Sequence, residues 1–212
     1  ASIGTGSTSA STALLQYELD TPLHRLAERV GERTAVRSYQ LCADAIDGIM
    51  ELAADLGACD AVRRNSLQYA SVRKDVRSLE LEKAMRTTHG FEVDLLRPSE
   101  IKERFGFRKP AALLSHKAAE IDPYRFTHLL FQDVLKTGGR VMDRTRVKSF
   151  TRNDKGFEVI SEQGHRIAAE HLIMATGYES QRYLDEAGIE LHSHYAIASQ
   201  RMEIAEIGRA SC

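Results

Sequence analysis

The sequence predicts an α/β chain in which helices and short strands are interleaved from end to end. Three observations carry that reading. Over residues 36–56 apolar side chains recur at spacings of three and four, the period of a helix with one buried face. Asp122 followed by Pro123 marks a second helix start, because the carboxylate accepts backbone N–H bonds and the proline needs no donor at the first helical position. Elsewhere, glycine-punctuated runs alternate polar with apolar residues, as a half-buried strand does.

Taken in order, the first dozen residues are almost all small. They run into Ala13-Leu14-Leu15-Gln16-Tyr17-Glu18, which reads as a loop opening a helix. The amphipathic helix follows, with Ile46, Ile49, Met50, Ala53 and Leu56 on its apolar face and Gly57 as its stop. Residues 66–72 alternate like a strand, residues 76–88 form a charged helix, and residues 91–95 form a second alternating run. Pro98 begins a short helix over residues 99–105 that ends near Gly106. Residues 111–121 read as a strand with a break. The capped helix then runs from Asp122 to Lys136 before Gly138-Gly139, and Arg140-Val141-Met142 resumes as strand. Residues 146–150, 157–161 and 166–168 form a three-stranded meander, with turn chemistry at Asp154-Lys155-Gly156 and Gln163-Gly164. Residues 171–178 are an apolar run stopping at Gly177, the pattern of a buried parallel strand whose end faces a ligand.

Composition narrows the function. A chain of 212 residues, 42% hydrophobic, is long enough for one large domain or two small ones with an ordinary core. Its 29 basic residues nearly balance 30 acidic ones without a one-sign block, which argues against a nucleic-acid or membrane-surface partner and favours a small neutral or zwitterionic molecule. The sequence shows neither a transmembrane run nor an export signal. Cys42, Cys59 and Cys212 have no metal or redox spacing, which points to reduced thiols in a cytoplasmic setting. His192 and His194 are the one histidine pair at ligand spacing, and no acidic or cysteine cluster completes a metal site. Arg63-Arg64, Arg73-Lys74 and Arg108-Lys109 read as solvated or ion-paired faces, and Tyr69, Tyr124 and Tyr178 as core aromatics. Neither a nucleophile elbow nor a phosphate-binding Gly-x-x-x-x-Gly-Lys is present.

The opening Gly4-Thr5-Gly6-Ser7-Thr8-Ser9-Ala10 superficially matches a dinucleotide fingerprint. That motif needs a strand before it, a helix after it and an acidic residue at the end of a second strand, and the surroundings of Gly4 do not supply them. A different role suits Ser7, Thr8, Ser9, Ser11 and Thr12: small residues at a helix start bring backbone N–H groups and hydroxyls close to phosphate or a flavin ring. Gly177, at a strand end, permits close backbone approach or positive φ.

The order of these features resembles the D-amino-acid-oxidase-like superfamily of FAD-dependent amine and amino-acid oxidoreductases, which includes glycine, sarcosine and gamma-glutamylputrescine oxidases. The segment from Gly6 to Leu15 resembles the flavin-lining stretch. Ala119-Glu120-Ile121-Asp122-Pro123-Tyr124, the following helix and Thr145-Arg146-Val147 are similar to the return from substrate domain to cofactor domain. Ile173-Met174-Ala175-Thr176-Gly177-Tyr178 is similar to the second nucleotide-contact strand. The resemblance implies an incomplete FAD-binding Rossmann-like domain over residues 1–57 and 122–212, with an inserted mixed-sheet substrate domain over residues 58–121. It also implies FAD contacts from Ser7, Thr8, Ser9, Ser11, Thr12, Val147, Ala175, Thr176 and Gly177, and hydride transfer from an amine or amino acid to the flavin. The family's pyrophosphate-binding turn and C-terminal region have no counterpart in the sequence. No catalytic residue is therefore assigned, and the chain by itself is expected to bind FAD weakly or not at all. A nicotinamide-dependent dehydrogenase and a non-catalytic interaction domain are the alternatives; the oligomeric state is left open.

Overall fold

The computed structural model describes residues 3–57 and 60–177. The long helix α2, Glu32–Leu56, begins after Gly31, and its buried stripe of Val36, Tyr39, Ala43, Ile46 and Ala53 follows the predicted period. A helix the pattern reading did not contain, α1 (Leu23–Val30), precedes it. Its signals were present: Pro22 stands at its start, and Leu23, Leu26 and Val30 share one side. The charged helix α3 spans Val76–Thr88, and α4 spans Pro98–Phe105, where Glu100 accepts the Arg97 N–H at 2.8 Å.

Strands β1 (Leu14–Gln16), β2 (Val62–Tyr69), β3 (Val93–Leu96) and β4 (Ala112–Glu120) form one sheet, with every partner antiparallel to β4. β2 takes one edge of β4. The other edge is shared, with β3 on Ala112 to Ser115 and β1 on Ala118 to Glu120. The predicted break in β4 is a bulge: Arg64 faces Ala118 and Ser66 faces Ser115, so His116 and Lys117 oppose Asn65 alone. α2 covers the face carrying Leu15 and Ala119, while Ile101, Phe105 and Phe107 cover Ala112 and Leu114 on the other face.

Asp122 caps α5 (Pro123–Lys136) by accepting the Arg125 N–H at 3.0 Å, as predicted. Gly138 takes φ +88°, a conformation that ends a helix without Cβ strain. Strands β5 (Val147–Asn153), β6 (Gly156–Ser161) and β7 (Arg166–Ala169) form the predicted meander.

Four expectations fail. Tyr69 and Tyr124, expected as core aromatics, are 46% and 43% exposed, with Tyr69 meeting Phe107 and Tyr124 meeting His128. Residues 13–18 do not form a helix, because Leu14 to Gln16 complete the edge of β4, and sheet pairing outweighs their helical propensity. Residues 140–142 form no strand: no described strand pairs with them, and Asp143-Arg144 turns the chain, with Arg144 at φ +51°. Residues 171–177 are neither strand nor buried, with Ile173 87% exposed. An apolar run becomes a buried strand only beside a partner, and none is found among the described residues; Tyr178 lies outside them. Among the described residues no helix is long and apolar enough to cross a membrane.

Candidate functional site

The predicted cofactor residues fall on three separate stretches of chain. Ser7, Thr8, Ser9 and Ala10 form one 3-10 turn, closed by the Ser9 N–H on the Gly6 carbonyl at 3.2 Å and by the Ser9 hydroxyl on the same carbonyl at 2.9 Å. The Ala13 N–H bonds the Ser11 Oγ at 3.2 Å, and Ala13 adopts φ +65° before the chain enters β1. Ser7, Thr8 and Thr12 have no side-chain partner among the described residues. The turn leads into a strand rather than a helix, which agrees with setting the dinucleotide fingerprint aside.

The turn rests on α5. Gly4, at φ +75°, lies against Tyr124 so closely that a Cβ would sit 2.9 Å from its ring. The His128 ring, 4.4 Å from that of Tyr124, has a buried Nε2 with no partner. Val147 is the first residue of β5, opposite Ser161 and 44% exposed. Ala175, Thr176 and Gly177 are exposed, and Gly177 takes the predicted positive φ, at +56°. His192 and His194 lie outside the described residues, as do Cys59 and Cys212.

A group rich in acceptor oxygens fits the 7–12 segment, where free hydroxyl donors stand on small residues over a floor that excludes a Cβ at Gly4. The fit does not extend to 175–177, where the strand that would present them is missing from the described residues.

Pattern reading missed a buried polar network beneath β1. Glu82 of α3 accepts the Leu23 and His24 N–H groups at 2.8 and 3.0 Å and contacts His24 Nδ1 at 2.7 Å, so it caps α1 from another helix. Arg86, one turn on, donates Nε to Glu82 at 2.7 Å and Nη1 to Ser115 at 3.2 Å and Glu18 at 3.3 Å. Its guanidinium lies 5.5 and 5.6 Å from the ring centres of Tyr17 and Tyr39. Burial alone would raise the Glu82 carboxyl, but the His24 N–H, the Arg86 charge, the His24 ring and the Leu23 N–H together hold it below the usual carboxylate range. Desolvation, aided by the nearby Glu82 charge, pushes the Tyr39 phenol up to about 12. The available signal was the i, i+4 spacing of Glu82 and Arg86 on a helix. Arg63 and Arg64 are ion-paired as expected, with Asp47 at 2.7 Å and Glu120 at 2.6 Å.

Comparison with curated protein sequences returns no match. Among solved structures, glycine oxidase from Geobacillus kaustophilus is similar at TM-score 0.64 and 17% identity, covering 84% of this chain and 47% of that one. L-proline dehydrogenase from P.horikoshii is similar at TM-score 0.64 and 17% identity, covering 85% and 45%. L-amino acid deaminase from Proteus myxofaciens gives TM-score 0.62 and 15% identity, covering 82% and 38%. The chain thus spans about half the length of the first two, and at these identities the likeness is one of fold. The family model described as FAD dependent oxidoreductase matches residues 1–210, nearly the whole sequence, and the chain belongs to that family.

Proposed function

We propose that the protein oxidises an amine or amino acid, a small zwitterionic substrate in the cytoplasm, with FAD as its acceptor. The observation that carries this reading is the 7–12 segment, a turn of small residues whose Ser7, Thr8 and Thr12 hydroxyls have no partner among the described residues, feeding directly into β1 of the helix-backed sheet. In this reading residues 1–57 and 122–212 belong to the cofactor-binding unit and residues 58–121 to the substrate unit. The β1 pairing with β4 joins the two.

The bound flavin would supply the chemistry, accepting a hydride from the carbon that bears the amine. The chain's own contribution is to hold and orient. Hydroxyls of Ser7, Thr8, Ser11 and Thr12 would donate to the cofactor's acceptor atoms, while Ser9, whose N–H and hydroxyl both close on the Gly6 carbonyl, would shape the turn that presents them. Val147 would offer backbone groups toward the adenine side, and Ala175, Thr176 and Gly177 would join from a second direction only on a strand that the described residues do not form. Leu14 and Gln16 share a sheet face with Glu120 and Ala118 by register, next to the 7–12 segment, and that face is where substrate would be held away from water.

The test is an absorbance spectrum of the protein expressed from its full coding sequence, followed by an anaerobic screen of amino acids and amines for bleaching of the flavin bands. Flavin near one equivalent, with bleaching by an amine-bearing compound, is the expected result. A folded, colourless protein would overturn the cofactor assignment, and a yellow protein bleached by no amine would overturn the substrate class.

A further inference from the structure

Two clefts run along one side of α2, of about 700 and 670 Å³, and they share Arg37, Gln40 and His89. None of the residues assigned above to the flavin lines either one. We propose that this paired cleft is a second ligand site, which takes a small organic oxyanion bearing phosphate or carboxylate groups and holds it between Arg33, Arg37 and Gln40.

The sequence of α2 places Arg33, Arg37 and Gln40 at i, i+4 and i+7, so all three project along one stripe beside the core stripe of Val36, Tyr39 and Ala43. Arg33, Arg37 and Gln40 have no hydrogen-bond or ion-pair partner among the described residues. The one carboxylate lining this end, Glu32, is engaged by His89 at 3.0 Å. Two guanidinium groups one turn apart repel each other, and near the N-terminal end of a helix they also oppose its dipole. Such an arrangement costs stability in the free chain, and a bound oxyanion offsets both terms.

The far end of the larger cleft is different. There the cations are already engaged, since Asp47 holds Arg63 at 2.7 Å and Lys117 at 2.6 Å and its carboxyl is kept below the usual range first by the Lys117 hydrogen bond. His116 is likewise held by Asp94 at 2.8 Å. The uncompensated donors therefore gather at the Arg33 to Gln40 end. A guanidinium is a planar fork that binds carboxylate or phosphate oxygens two at a time, and a glutamine amide adds a neutral donor. The unengaged carboxylates of the larger cleft, Asp44 and Glu92, do not line the smaller one, so the Arg33 side is open to an anion.

Isothermal titration of the protein, expressed from its full coding sequence, with inorganic phosphate and separately with citrate at constant ionic strength tests this. Saturable one-to-one binding of at least one probe is expected, weakened about tenfold or more in Arg37→Ala and further in the Arg33→Ala/Arg37→Ala double variant. The probe that binds more tightly tells a phosphate ligand from a carboxylate one. Arg152→Ala, which removes an exposed cation from β5, should leave binding unchanged. Absence of saturable binding by both probes would overturn the site, as would equal binding in the double variant or an equal loss in Arg152→Ala. Unfolding curves for each variant separate loss of binding from loss of fold, and Arg37→Lys, which keeps charge without the fork, should recover part of the affinity.

Discussion

The helix-backed sheet and the meander are built from strands of the same alternating pattern, yet they differ in what surrounds them. In β4, Ala112, Leu113, Leu114 and Ala119 are all at most 2% exposed, because helices cover both faces. Across β5, β6 and β7 only Val159 and Ser161 are buried, at 6% and 2%. Backbone pairing therefore makes a strand in both regions, while burial depends on the elements stacked against it. The contrast extends to charge: the sheet buries the Glu82 and Arg86 pair at 1% exposure each, whereas the meander's Arg166 and Glu158 meet at 3.2 Å in solvent.

The largest effect should come from removing one member of the buried pair. Arg86→Ala leaves the Glu82 charge without its paired guanidinium in a place water does not reach, and losing half of a buried ion pair costs about 3–5 kcal/mol. Arg166→Ala breaks an exposed pair worth less than about 1 kcal/mol. Urea denaturation of both variants makes the comparison, and equal costs would show that the network is wetter than its burial implies. Packing should repeat the contrast at a smaller scale. Leu114→Ala, in a site 2% exposed, should cost about 3 kcal/mol, and Ile167→Ala, at 37% exposure, less than about 1 kcal/mol.

The same distinction explains what was legible in the sequence. Elements specified by local chemistry were readable: α3, whose limits match the pattern, α5 with its Asp122 cap and Pro123, and the meander with its glycine turns. Elements that exist because of a distant partner were not. Leu14 to Gln16 form a strand because β4, about a hundred residues on, leaves an edge open, and residues 171–177 lack such an edge among the described residues. The site divides in the same way. The small residues of the 7–12 segment could be singled out from composition, whereas the Glu18, Ser66, Glu82, Arg86 and Ser115 network joins four separate stretches of chain that no spacing rule connects. The stripe of Arg33, Arg37 and Gln40 had a readable spacing, but its lack of counter-ions became visible only with the fold in place.

Alkaline pH offers a third probe of the sheet's buried side. Tyr39 is fully buried, and its phenol is raised to about 12 from 10.0. Between those values the unfolded chain releases this proton and the folded chain keeps it, so stability falls as pH rises from 10 toward 12. A shift of that size corresponds to at most about 2.7 kcal/mol by pH 12. Tyr39→Phe should flatten the decline, although it also loses the hydrogen bond to the Thr21 carbonyl at 3.0 Å and so starts from lower stability. On the acid side Glu82 acts with the opposite sign. Its depressed pKa gives stability that is present above the ordinary carboxylate range and lost as pH falls through the folded value. If Tyr39→Phe and the parent lose stability in parallel above pH 10, some other group carries the alkaline transition.

The smallest effect belongs to the helix that links the two regions. α5 follows β4 directly, and Phe126 and Leu129 dock it against Ala53 and Ile121 on the α2 side of the sheet. Its start is specified twice, by the Asp122 cap and by Pro123 at the first position. Asp122→Ala should therefore cost only about 1 kcal/mol, the usual value of an N-cap, with the docked apolar contacts keeping the helix in place. Asp122→Asn retains an acceptor for the Arg125 N–H and should recover most of that loss. A cost well above 2 kcal/mol would mean that Asp122 sets the docking of α5 on α2 as well as its first turn, which would tie the floor of the 7–12 segment to this one carboxylate. Denaturation curves for both variants, read beside the exchange rates of the α5 amides, separate a frayed first turn from a displaced helix.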